Sequence, residues 1–183
     1  MGDMETLASK RVYDGTWFSV RQDAIRRADG STGTYDVVDG PDIAVVVPAE
    51  GDRLHLVDQY RYPVGGRRWE FPAGTLEEGA DGDAVALAAR ELREETGLTA
   101  GRLTPLGTID IAPGTLSQRC AVFLATDLTP GPPEREPEEQ DMVSDSFTRA
   151  EVERMIGDGT IRDAKSVAAY TLLLLHERDA PSA

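Results

Sequence analysis

Arg90-Glu91-Leu92-Arg93-Glu94-Glu95-Thr96-Gly97-Leu98 decides how the rest of this chain is read. On an α-helix, Glu91, Glu94 and Glu95 stand at i, i+3 and i+4, so all three carboxylates leave one face. Like charges at that spacing repel by a few tenths of a kcal/mol per pair, roughly 0.2–0.5. A hard divalent cation reverses the sign, because Mg²⁺ takes carboxylate oxygens and keeps positions open for water and substrate phosphates. A solvated acidic helix face is the other reading of the same pattern.

The flanks favour the metal reading. Pro72-Ala73-Gly74 breaks the chain before the helix, and Thr96-Gly97 stops it with glycine at a left-handed position. Ala84 to Ala89 is almost wholly apolar, which predicts a buried helix flank ahead of the carboxylates. Arg90 lies four residues before Glu94 and can hold its carboxylate by an ion pair. Loop, packed helix and oriented acids together make a metal platform on a rigid element.

At these residues the chain resembles the Nudix hydrolase family. Arg90 to Leu98 matches the second half of that family's box in full, an Arg-Glu-aliphatic-any-Glu-Glu-any-Gly-aliphatic run. The first half departs. The Gly74–Arg90 interval is two residues longer than the family spacing, and the expected Glu falls on Ala80 or Gly82 according to the end counted from. A two-residue insertion in the turn Gly79-Ala80-Asp81-Gly82-Asp83 accounts for this, with Asp81 or Asp83 as the candidate replacement. The resemblance implies that Glu91 and Glu95 ligate Mg²⁺ (Mn²⁺ as alternative), with Glu94 shared or bridging and the Ala73 carbonyl a further ligand. It also implies an α/β/α sandwich with a mixed sheet.

Two further stretches resemble the ADP-ribose pyrophosphatase branch of that family. One is Gln59-Tyr60-Arg61 followed by Trp69-Glu70-Phe71-Pro72-Ala73-Gly74; the other is Pro113, sixteen residues past Gly97. Thr115-Leu116-Ser117-Gln118 departs from the aromatic and acidic residues usual after that proline. The branch implies hydrolysis of ADP-ribose or a related nucleoside diphosphate sugar to a nucleoside monophosphate and a sugar phosphate. Its general base is a Glu of a late loop, which maps here onto Glu138 or Glu139, the second preferred. Gln140 stands where some relatives have a carboxylate. Arg61, Arg67, Glu70, Pro113 and Trp17 are the expected substrate contacts, with Phe18 and Trp69 also available for an adenine slot. GDP-sugars, NADH or FAD are alternative substrates, and a non-catalytic nucleotide-sugar-binding regulator is the remaining alternative.

Composition sets the frame. At 183 residues the chain can bury one sizeable core, and a formal charge of −14 argues against nucleic-acid or anionic-membrane partners. The scattered bases after residue 150 do not form the basic face of a DNA-binding regulator. Cys120 alone cannot form an intrachain disulfide, which fits a reducing cytoplasm. The first residues carry no basic or apolar signal region, and no apolar run reaches membrane-spanning length; Leu172 to Leu175 reads as part of an amphipathic helix.

The chain pattern predicts strands over Thr16–Arg27, Thr34–Val38, Ile43–Pro48, Leu54–Tyr60, Leu103–Ile111, Arg119–Asp127 and Met142–Thr148. Helices are expected over Arg149–Gly157 and Ala164–Arg178, and a mobile, proline-rich acidic loop over Thr129–Glu139. Residues 1–41 form the expected N-terminal β subdomain and, by resemblance, a homodimerisation element. Residues 42–178 are the expected hydrolase domain and 179–183 a disordered tail.

Overall fold

A computed structural model describes residues 4–76, 83–135 and 139–179. Two compact units emerge: Met1–Asp42 with Asp110–Arg119, and Ile43–Ile109 with Cys120–Ala183. The segment around Pro113 belongs to the first unit.

The first unit is an antiparallel sheet of β1 (Glu5–Asp14), β2 (Ser19–Arg26) and β3 (Thr32–Asp39), in that order. Asp29-Gly30 makes the expected turn: Gly30 has a φ of 85° and its N–H donates to the Arg27 carbonyl, so Arg26 faces Thr32 across the hairpin. The sequence pattern missed β1, whose ten residues are all exposed and so carry no alternation of buried and polar positions. Within this unit, Val38 pairs with Leu116, and Tyr35 Oη donates to the Gly114 carbonyl at 2.9 Å.

The second unit centres on β4 (Ile43–Glu50), a run of β-branched and small apolar residues that is buried on both faces. Gly51, at φ 56°, turns β4 into β5 (Arg53–Arg61), and the pair separates after two rungs. β5 continues between β6 (Gly66–Glu70) and β10 (Val143–Thr148), while β4 pairs with the short β7 (Ala73–Thr75) and runs parallel to β9 (Arg119–Pro130). The sheet order is β10-β5-β4-β9-β8, where β8 is Leu98–Asp110. β8 begins five residues before the expected strand, directly after the preceding helix ends.

α1 (Ala84–Thr96) packs Leu87, Ala88 and Leu92 on Ala44, Val46 and Phe123. Side chains alternate along a strand, so Val45 and Val47 face the other side, where α3 (Ala164–Asp179) meets β4. α3 buries Ser166, Ala169, Tyr170 and Leu173, a helical stripe, yet leaves Leu174 and Leu175 exposed. α2 (Arg149–Gly157) has the predicted bounds and starts with a reciprocal capping box between Thr148 and Glu151. The result is three layers, α1 on one face of a mixed sheet and α3 on the other. Asp179, expected in the tail, ends α3, and residues 180–183 lie outside the described residues.

Candidate active site

α1 starts and stops where its sequence dictates. Asp83 Oδ1 accepts from the Val85 and Ala86 N–H groups at 2.9 and 3.3 Å, a capping role that its place in the insertion had left open. Asp81, the other candidate for the missing box Glu, lies outside the described residues, as does most of the inserted turn. At the far end, Gly97 is left-handed (φ 77°) and its N–H donates to the Arg93 carbonyl at 2.8 Å. The apolar flank is only partly buried: Leu87 and Ala88 are inside, whereas Val85, Ala86 and Ala89 face water. Ala is a strong helix former in either setting, so the run encodes helix more firmly than burial.

Residues 87, 88, 91, 92 and 95 form the buried stripe of α1, so Glu91 and Glu95 occupy positions that elsewhere carry Leu and Ala. Glu94 stands beside the stripe with its side chain partly exposed. Glu95 is 1% exposed, and neither carboxylate oxygen has a hydrogen-bond partner among the described residues. Burial pushes its pKa well above the ordinary range, the charges of Glu139 and Glu91 push further, and Arg61 and Lys165 offset part of it. Burial likewise raises Glu91 to about 7, against the opposing pull of Arg90 and with help from Glu94 and Glu139.

Gly74 explains how the strand β7 comes so close. A Cβ at this position would fall on the Glu91 carboxylate, so glycine leaves that carboxylate room to lie against the Ala73–Gly74 backbone in its present rotamer. Arg90 Nη2 donates to Glu91 Oε1 at 3.2 Å, and Arg90 Nε sits 3.7 Å from Glu94 Oε2, the ion pair the spacing predicts. Among the described residues no three acidic side chains close around a common point in these rotamers. Even so, the donor set suits a hard cation: hard oxygens, those of Glu95 buried without a hydrogen-bond partner among the described residues and those of Glu91 lying against Gly74.

A third buried carboxylate lies nearby and is treated in the opposite way. Glu70, 2% exposed, accepts from Arg61 through Nε and Nη2 at 2.9 and 2.7 Å, a bidentate pair, and from Lys165 Nζ at 2.5 Å. Burial alone would raise its pKa, but those two cations hold it below the ordinary carboxylate range. Lys165 also pairs with Asp163 at 2.9 Å, and Ser166 Oγ donates to Asp163 while accepting from the Phe71 N–H. The start of α3 is thereby fastened to the strand entering the box.

The structure thus gathers Arg61, Glu70, Ala73, Arg90, Glu91, Glu94, Glu95 and Glu139 in one unit. Glu138 lies outside the described residues. Arg67 engages Asp58 and Asp141 at 2.8 and 2.7 Å, which ties β6 to the approach to β10. Trp69 stacks edge-on against Phe147 with ring centroids 4.8 Å apart. Trp17 and Pro113 belong to the other unit, where Trp17 is 77% exposed and Phe18 contacts Tyr13. Lys165 escaped sequence reasoning because a single base among acids gives no signal; the polar trio Asp163, Lys165, Ser166 at a helix start was the available hint.

Comparison with known proteins bears on the family. A model described as the NUDIX domain matches residues 39–170, and one described as the nucleoside diphosphate sugar hydrolase N-terminal domain matches residues 4–38. The chain is 36% identical over 176 residues to an ADP-ribose pyrophosphatase of Mycobacterium tuberculosis, spanning 95% of this chain and 84% of that protein. It is 29% identical to an ADP-ribose pyrophosphatase of Bacillus subtilis over 94% of each chain. A solved ADP compounds hydrolase shares the fold with a TM-score of 0.83 at 24% identity, covering 97% of this chain and 94% of the other. By its box, its fold and these matches, the chain belongs to the Nudix hydrolase family.

Proposed function

We propose that this protein hydrolyses the pyrophosphate bond of ADP-ribose or a related nucleoside diphosphate sugar, releasing a nucleoside monophosphate and a sugar phosphate. The observation that carries the chemistry is Glu95: a carboxylate 1% exposed with both oxygens unpartnered is stable only if protonated or bound to a cation. The substrate class is supported by relatives named ADP-ribose pyrophosphatase and by the match of residues 4–38 to a nucleoside diphosphate sugar hydrolase N-terminal domain.

Glu91, Glu95, Glu94 and the Ala73 carbonyl are the groups that would hold Mg²⁺, or Mn²⁺ in its place. Bound there, the ion supplies charge neutralisation on the diphosphate oxygens and acidifies water. Arg61, fixed by Glu70 through two of its nitrogens, presents a rigid cation to a diphosphate oxygen while feeling the Glu95 charge. Glu139, close enough to raise the pKa of both Glu91 and Glu95, is the base that takes the proton from the attacking water. Arg90 orients Glu91 and Glu94. Trp17 and Pro113 remain the proposed substrate contacts of the first unit, and Arg67 of the second. The fully exposed β1 supports a homodimer formed through the N-terminal sheet, and the lone buried Cys120 supports a reducing, cytoplasmic setting.

Purified protein incubated with ADP-ribose and Mg²⁺ tests the reading, with AMP and ribose 5-phosphate measured together. A panel holding a GDP-sugar, NADH and FAD runs beside it. Equal release of both products from ADP-ribose, abolished by EDTA, supports the proposal. Cleavage of another panel member alone would move the substrate and keep the chemistry.

A further inference from the structure

The segment after β9 is not an independent loop where it is described. Gly131 O lies against Gly97, so close that any side chain at 97 would strike it. The Glu134 N–H donates to the Glu94 carbonyl at 3.0 Å, and Arg135 Nε donates to the Glu95 carbonyl at 3.2 Å. These are end-of-helix acceptors with no partner inside α1, and a cation suits the negative end of the helix dipole. Arg135 reaches the other way as well: Nη1 donates to the Met142 carbonyl, and its own carbonyl accepts from Gln140 Nε2 at 3.0 Å. The Met142 N–H in turn donates to the Glu139 carbonyl at 2.9 Å. One planar guanidinium therefore spans the backbone of Glu95 and the backbone turn that carries Glu139.

We propose that Arg135 is a positioning residue for hydrolysis, fixing the Glu139 turn to the last turn of the metal-ligand helix so that the Glu139 carboxylate stays beside Glu91 and Glu95. The inference rests on the reading of Glu139 as general base. A charge alone cannot do this work. The two carbonyls are reached from two separate nitrogens, Nε and Nη1, held apart in one plane, a span that the single nitrogen of an ammonium does not have. Displacing a reacting group by about 1 Å costs on the order of 100-fold in rate.

The test compares wild type with Arg135→Ala, Arg135→Lys, Glu139→Gln and the Arg135→Ala/Glu139→Gln double variant. Initial rates are taken on ADP-ribose with Mg²⁺, together with thermal midpoints and hydrogen exchange at the Glu134 and Met142 amides. Expected for Arg135→Ala is a kcat lower by roughly 10- to 100-fold with KM changed less than about threefold. Lysine should rescue little, Met142 exchange should quicken in both variants, and the alanine should add less than about twofold to Glu139→Gln. A helix-capping role alone predicts the reverse: lysine rescue, and a loss that multiplies in the Glu139→Gln background. Either result overturns the inference while leaving Glu139 as base. A Glu139→Gln enzyme with normal kcat overturns the base reading itself, and Arg135's role falls with it.

Discussion

Two carboxylates in the same unit are equally hidden from water and met by opposite surroundings. Glu70, at the end of β6, faces a bidentate arginine and a lysine and is held ionised. Glu95, in the last turn of α1, faces two other glutamates, has no hydrogen-bond partner among the described residues, and is driven toward its protonated form. Breaking a buried pair usually costs about 3–5 kcal/mol, because the partner charge is left uncompensated. An unpaired buried carboxylate works the other way: its charge lowers stability until something positive arrives. The first arrangement neutralises the charge it buries. The second, the proposed ligand set for a cation, carries a burial cost that no neighbouring cation among the described residues fully offsets.

The sharpest way to break this contrast is Glu95→Gln. We expect a loss in kcat/KM on the order of a thousandfold or more with ADP-ribose and Mg²⁺, while the thermal midpoint of the EDTA-treated protein stays level or rises. A large fall in that midpoint would mean that Glu95 is structural after all. Glu70→Gln should do the opposite. Unfolding in urea should show about 2–4 kcal/mol of lost stability, discounted because Arg61 is partly exposed and can recover water.

The pH dependence sharpens the same comparison. Glu91 has a folded pKa of about 7 against an ordinary 4.5, and Glu95 shifts in the same direction. A carboxyl with a higher pKa folded than unfolded contributes stability fully below the unfolded value and loses it as pH rises through the folded one. The EDTA-treated protein should therefore melt lower at about pH 8 than at about pH 5, by on the order of 5 °C. Glu91→Gln should flatten that slope, and saturating Mg²⁺ should raise the midpoint more at the higher pH. Calorimetric scans across this window, with and without Mg²⁺, check the sign. The smallest effect belongs to Asp83→Ala, which removes the α1 cap without touching the acids. About 1 kcal/mol of stability should go, with kcat little changed.

Local rules carried a good deal of this. The helix stop at Gly97, the hairpins at Gly30 and Gly51, and the bounds of α2 follow from residues a few positions apart, and the structure has them. β1, β6 and β7 were not legible. β7 is three residues long and is held by pairing with the sequence-distant β4, β6 is a short and largely charged strand, and β1 shows no burial pattern. The Pro-rich segment read as mobile because its composition is that of a loop. Within it Glu134 and Arg135 hydrogen-bond the carbonyls at the end of α1, an acceptor site that composition cannot reveal.

The sequence by itself determined that Glu91, Glu94 and Glu95 share a helix face, where that helix begins its last turn, and which family's chemistry the box spells. Those are consequences of helical period and of glycine's access to positive φ. Only the tertiary structure decided that Glu95 is buried without a partner while Glu70 is buried with two cations. Lys165 reaches Glu70 from 95 residues away, and Arg135 reaches the Glu95 backbone from 40. The state of a buried charge is set by everything within a few ångströms of it, and the fold alone chooses what that is.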